Sequence, residues 1–150
     1  MSLLLYRLSN ARRAGDLSGE GARRAGGRWN QRFTPALYTA STVSLGLLEV
    51  LVHLEDLRLV PGAYSVTVIK VNDPGGRLQT VDVLPTTMQD AQELGTALLS
   101  DAEVLGYWVP SVIVPRERNL VLNPAARDFQ DHVHVEEVFE LEVDQRLRGG

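Results

Sequence analysis

The stretch Val43 to Glu55 constrains the fold more than any other part of this 150-residue chain. Leu45, Leu48 and Val52 form one apolar stripe at helical spacing, and Leu47, Leu51 and Leu54 form another. Together they cover most of the circumference, which predicts a helix that is central rather than superficial. Ser41 or Thr42 can cap its start. Most other ordered segments read as strands. Leu3–Leu8 and Ala36–Ala40 are short apolar runs, and Tyr64–Val71 alternates with β-branched residues. Val81–Leu84, Val109–Val114 and Asn119–Leu122 read as further short strands, and Val133–Val143 as a last one. Thr87–Leu99 is a second helix, and Pro124–Gln130 supplies one or two helical turns. Strands dominate, without a regular βαβ rhythm. The prediction is an α+β fold: a single compact domain over residues 1–150, with a mostly antiparallel or mixed sheet around a central buried helix.

Residues 9–35 are rich in glycine and arginine, show no clean period, and read as a long functional loop with room for one helical turn. At its centre stands Gly26-Gly27-Arg28-Trp29-Asn30. Paired glycines let the backbone approach a ligand closely. The next three residues supply a fork for phosphate or carboxylate, a stacking plate and an amide. The combination points to a flat, anionic small molecule, a description a nucleotide fits. Residues 7–32 hold seven arginines against Asp16 and Glu20, a local +5 in a chain of net −4, so the remainder carries −9. That acidic remainder argues against a broad nucleic-acid surface and favours a local anion pocket. The chain has no cysteine, hence no disulfide framework and no thiolate zinc site. No apolar run reaches the ~18 residues that span a bilayer, and Met1–Arg7 lacks the pattern of a secretory signal. A cytoplasmic location is expected.

Glu49 is the sharpest single residue. It sits amid Leu45-Gly46-Leu47-Leu48 and Val50-Leu51-Val52, where an unpaired carboxylate would cost several kcal/mol. His53 lies one turn further along the same face, placed to orient it. Ser111 opens a β-branched run and offers a hydroxyl to a substrate or a carboxylate. Without a Gly-x-Ser-x-Gly elbow, a Ser111–His53–Glu49 triad is a weak alternative. Tyr38 can stack on a planar ring. Arg7, inside an apolar strand, is a charge where its neighbours want burial. His132 and His134 make a weak metal pair and fit better as a solvated strand end.

Together these residues resemble the RES domain family, named for an arginine, a glutamate and a serine. The resemblance runs from Tyr6-Arg7 through Gly19-x-Gly-Ala, Gly26-Gly27-Arg28-Trp29-Asn30, Leu37-Tyr38-Thr39-Ala40 and Leu48-Glu49-Val50-Leu51-Val52-His53. It continues through Val109–Pro115 to Asn119 and Asn123-Pro124, and so covers nearly the whole chain in order. On this mapping the naming residues are Arg28, Glu49 and Ser111. One departure is visible: a glycine usually follows the Arg-Trp-Asn segment, and Gln31-Arg32-Phe33-Thr34-Pro35 has none.

The resemblance implies an ADP-ribosyltransferase-like fold and a toxin of a bacterial toxin–antitoxin pair. It implies NAD+ as substrate, consumed by hydrolysis or phosphorolysis or used to ADP-ribosylate a protein, with inorganic phosphate as a possible co-substrate. It further implies a helix-turn-helix, Xre-like antitoxin as partner, in a homo- or hetero-oligomer. On this mapping Glu49, Arg28 and Tyr38 are catalytic, with Glu49 near the ribose. Arg7 and Arg28 face the pyrophosphate, Tyr38 and Trp29 offer rings, Asn30 and Ser111 make polar contacts, and His53 steadies Glu49 from behind. No metal, resident cofactor, membrane or direct nucleic-acid contact is expected. A non-catalytic nucleotide-binding module using the same loop is the rival from another class.

Overall fold

The computed structural model describes residues 2–149. Seven strands form one sheet: β1 (Ser2–Ser9), β2 (Leu37–Ala40), β3 (Ala63–Asn72), β4 (Leu78–Thr80), β5 (Gly106–Pro110), β6 (Arg118–Leu122) and β7 (Val133–Glu142). Their order is β4-β5-β6-β2-β1-β3-β7. Every pairing is antiparallel except β4 with β5, so the sheet is mixed, as expected. Four helices complete the α+β domain: α1 (Glu20–Ala25), α2 (Val43–Val52), α3 (Met88–Leu99) and α4 (Phe129–His132).

The sheet is tight at one end and open in the middle. β1 pairs with β3 over eight register positions, but with β2 at one only, Tyr6 opposite Ala40. Both faces of the long β1–β3 ladder are covered. Tyr6, Leu8, Val66 and Val68 pack under α2, while Leu3, Leu5, Ile69 and Val71 pack with α4 and Phe129. Burial on both faces explains why Val66–Ile69 is continuously buried although it alternates in sequence.

Helix α2 starts where expected, with the Thr42 hydroxyl accepting from the Leu45 amide at 3.1 Å. Its position is not the expected one. Only Leu45, Gly46 and Leu51 are buried, while Leu48 and Val52 are 40% and 55% exposed. The helix lies on the sheet with the Leu48–Val52 ridge turned outward, because no layer covers that end of its first stripe, while Leu47, Leu51 and Leu54 of the other pack inward. Gly46 sets its distance from the sheet: a Cβ there would stand 2.8 Å from Leu8 Cδ1.

Two other boundaries moved. Residues 81–84, expected as a strand, form none; the strand there is β4, which ends just before them at Thr80. The strand expected over Val109–Val114 ends at Pro110, because the Ser111 hydroxyl takes the amides of Ile113 and Val114, both at 3.1 Å, and bends the chain. The β-branched run Val112-Ile113-Val114 is therefore a turn, and that turn shapes the site. The missing glycine after Asn30 has a counterpart too: Phe33 takes φ 77°, the left-handed region glycine usually fills, with its ring 79% exposed.

Candidate active site

The opening between β1 and β2 forms a cavity of about 730 Å³, within the range of small-molecule sites. Glu49, Arg7, Arg28, Tyr38 and Asn119 all line it.

Its polar end is Glu49, half-buried on α2. One carboxylate oxygen, Oε1, accepts two hydrogen bonds: from Ser111 Oγ at 2.8 Å and from Asn119 Nδ2 at 2.7 Å. The other oxygen, Oε2, has no hydrogen bond among the described residues. One edge of the carboxylate is thus fixed while the other stays available to a ligand. Ser111 is fully buried and its hydroxyl is saturated, with one bond donated and two accepted. It holds Glu49 from behind, so of its two expected partners it takes the carboxylate, and it does not line the cavity as a substrate contact would.

The Gly26–Asn30 loop divides its labour differently from the sequence reading. Gly26, at φ 73°, ends α1 in a conformation open to glycine. The Gly27 position admits no side chain, since a Cβ would lie 2.7 Å from the Tyr38 hydroxyl. Trp29 is 3% exposed, and its ring packs edge-on to Tyr107 with centroids 6.0 Å apart. Asn30 is fully buried: Nδ2 donates to the carbonyls of Ala22 and Thr34 at 2.8 and 2.9 Å, and Oδ1 accepts from the Tyr38 hydroxyl at 2.6 Å. Asn30 therefore ties the loop together, and its amide is not free for a ligand. Trp29 belongs to the core beneath the loop rather than standing as a plate above it. Helix α3 braces the loop from outside, with Gln92 Nε2 donating to the Gly27 carbonyl at 2.8 Å and Thr96 Oγ1 accepting from the Gln31 amide at 2.9 Å.

Arg28 alone of this string projects freely. It is exposed and makes no ion pair or side-chain hydrogen bond among the described residues. Arg7 is half-buried; Nη1 donates to the Arg13 carbonyl at 3.0 Å, and burial lowers its pKa against the opposing pull of Asp16. Glu20 also borders the cavity, but its carboxylate is tied to Arg23 at 2.6 Å and to Arg24 at 3.1 Å. The Arg23 fork first, then Arg24, holds it down at about 2. Tyr38 offers its ring to the cavity while its hydroxyl donates to Asn30 and accepts from the Trp29 amide at 3.0 Å. Burial pushes that phenol up to about 12.

His53 is exposed, and its Nδ1 lies 2.6 Å from the Glu49 backbone carbonyl. It caps the end of α2 and does not touch the carboxylate, contrary to the expectation that it steadies Glu49. With Ser111 bonded directly to Glu49 and no histidine at its hydroxyl, the serine-hydrolase triad is not assembled. His134 is exposed, with Nε2 3.2 Å from the Asp131 carbonyl. No cluster of three or more histidine or carboxylate side chains suited to a metal occurs among the described residues. No helix among them is long and apolar enough to cross a membrane.

Asn119 is the polar residue that sequence reasoning did not assign to the site. It lay within the stretch that carries the RES resemblance, without a role attached, and its local signal was an amide opening an otherwise apolar strand, Leu120-Val121-Leu122.

The RES domain family model matches residues 4–144. The chain belongs to the RES family. A protein of Photorhabdus laumondii named "Toxin Res" is 32% identical over 154 residues, covering 97% of both chains. The "Prs ADP-ribosylating toxin" of a Sphingobium species is 38% identical over 131 residues, covering 77% of this chain and 76% of that one. MbcT of Mycobacterium tuberculosis, named an NAD(+) phosphorylase, is 38% identical over 86 residues, covering 57% and 42%. In three dimensions this RES domain is similar to a chain in the crystal structure of the M. tuberculosis MbcT–MbcA toxin–antitoxin complex. The TM-score is 0.73 at 26% identity, over 95% of this chain and 85% of that one.

Proposed function

We propose that this RES protein is a bacterial toxin that breaks the nicotinamide–ribose bond of NAD+, with Glu49 as the reacting carboxylate. The observation that carries the proposal is the half-committed Glu49. Ser111 and Asn119 hold Oε1, and Oε2 stands free in a cavity that also holds Arg28, Arg7 and the Tyr38 ring.

The chemistry asks for this layout. When the glycosidic bond breaks, its electron pair leaves with nicotinamide, which becomes neutral, and positive charge passes to the ribose ring. A fixed carboxylate stabilises that oxocarbenium-like centre and binds the neighbouring hydroxyls. The free guanidinium of Arg28, helped by Arg7, is suited to the pyrophosphate. Tyr38 supplies a stacking face for a flat ring and helps exclude water. Its hydroxyl is engaged elsewhere, so its contribution is positioning of the base. An acceptor then bonds to the ribose carbon: water or inorganic phosphate completes degradation, and a protein side chain would complete ADP-ribosylation. We favour degradation. Transfer to a protein is the second reading, supported by the ADP-ribosylating relative. We propose a helix-turn-helix antitoxin as partner and the cytoplasm as the place of action.

The test is product analysis of purified protein with NAD+, with and without phosphate. Phosphorolysis gives nicotinamide and ADP-ribose 1″-phosphate; hydrolysis gives nicotinamide and free ADP-ribose. NAD+ binding without nicotinamide release, and no growth arrest on expression, would instead establish a non-catalytic binding module.

A further inference from the structure

Resting on the assignment of Glu49 as the reacting carboxylate, we infer that Asn119 is a positioning residue for the reaction. Its amide, with the Ser111 hydroxyl, locks the Glu49 carboxylate so that Oε2 alone faces the substrate.

Two elements hold Glu49 from different directions. Ser111 lies on the turn after β5, and Asn119 lies in β6, in register with Ala40 of β2 and Val109 of β5. Strands pair on both sides of Asn119, so its backbone is rigid where its side chain meets the cavity. Ser111 has other work, because its hydroxyl also receives two amides of its own turn. The Asn119 side chain makes one hydrogen bond, to Glu49 Oε1 at 2.7 Å.

The other half of the amide shows what that bond costs. Asn119 Oδ1 is buried and has no partner. Buried polar atoms are almost always paired, and an unpaired one is unfavourable to folding. Turning the amide over would not help, since it would set Oδ1 against a carboxylate oxygen. The arrangement gives up stability to keep an N–H on Glu49, a trade found where a reacting group must be held in one pose. A packing role alone would not require a polar side chain here.

The test compares wild type with N119A, N119D and N119S by nicotinamide release and by crystal structures of the unliganded variants. N119D keeps the volume but replaces the donor with a second carboxylate oxygen. N119S restores a donor on a shorter arm. We expect N119A to lose about ten- to hundredfold in kcat, the range for a hydrogen bond to a charged group, with KM changed less than about threefold. N119D should fall at least as far as N119A, and N119S should recover part of the loss. In the N119D crystal structure the Glu49 carboxylate should turn away from position 119. The inference is overturned if N119D, the better-packed variant, retains more kcat than N119A, or if both leave Glu49 in place at wild-type kcat. If wild type itself releases no nicotinamide, the proposed function fails and the role in the reaction falls with it; the crystal structures then judge only the hold on Glu49, which an unchanged Glu49 pose in N119A and N119D rejects.

Discussion

Removing the Ser111 hydroxyl should produce two separable losses. In S111A, the amides of Ile113 and Val114 lose the oxygen they share at 3.1 Å. Both residues are only half-buried, so each unpaired amide belongs near the low end of the penalty range, about 1 kcal/mol. The two together cost about 2 kcal/mol, which for a domain of this size lowers Tm by about 4–8 °C. Glu49 separately loses the 2.8 Å bond from Ser111 Oγ. A hydrogen bond to a charged group is worth about 1.5–3 kcal/mol, so kcat should fall by about ten- to a hundredfold. Calorimetry measures the first loss, and nicotinamide release below the melting range measures the second. Asn119 still holds the carboxylate, so activity should persist above that of a Glu49 variant. A wild-type Tm would refute the account of the turn, and wild-type kcat would refute the hold on Glu49. Complete inactivity together with fluorophosphonate labelling of Ser111 in the parent protein would restore the nucleophile reading.

Other perturbations separate the remaining roles. R28A removes an exposed, unpaired side chain, so stability should stay within about 0.5 kcal/mol while KM for NAD+ rises about tenfold or more; an unchanged KM would remove Arg28 from the substrate site. F33G places glycine at φ 77° and should raise stability by about 1 kcal/mol in thermal unfolding, the strain relieved less the entropy glycine adds to the unfolded chain; a lower Tm would contradict the strain. Tyr38 ionises at about 12 in the fold against 10.0 for an unburied phenol. Its contribution is therefore full below pH 10 and is lost as pH rises toward 12, because the unfolded chain releases that proton first. Y38F should show a shallower decline of Tm over that window, although Tyr107, also raised by burial, keeps part of the slope; identical slopes would contradict the assignment.

Most of the strands, the start of α2 and the Arg-Gly-rich loop were legible because each rests on a local signal: alternation, a capping threonine, an absence of period. What misled was what lies opposite each residue. Leu48 and Val52 share a stripe with the buried Leu45, and nothing local says that no layer covers them. Val112-Ile113-Val114 has the composition of a strand, and one serine hydroxyl turns it into a bend. Arg28, Trp29 and Asn30 are adjacent in sequence and look alike as ligand groups. The fold sends one outward and two inward, because Asn30 finds the Ala22 and Thr34 carbonyls and Trp29 finds Tyr107. Glu49 stood out as a charge within an apolar helix. Ser111 stood out too, as a hydroxyl for a substrate or a carboxylate, but the pairing of Glu49 with Asn119, 70 positions away, left no local sign.

Nicotinamide release from NAD+ by wild type and by E49Q tests the central claim most directly. The amide of E49Q is close in size to the carboxylate but cannot offset positive charge on the ribose. The account predicts steady turnover by wild type and a loss of about a hundredfold or more in E49Q, with NAD+ binding retained through Arg28, Arg7 and Tyr38. Equal release by the two proteins would contradict it.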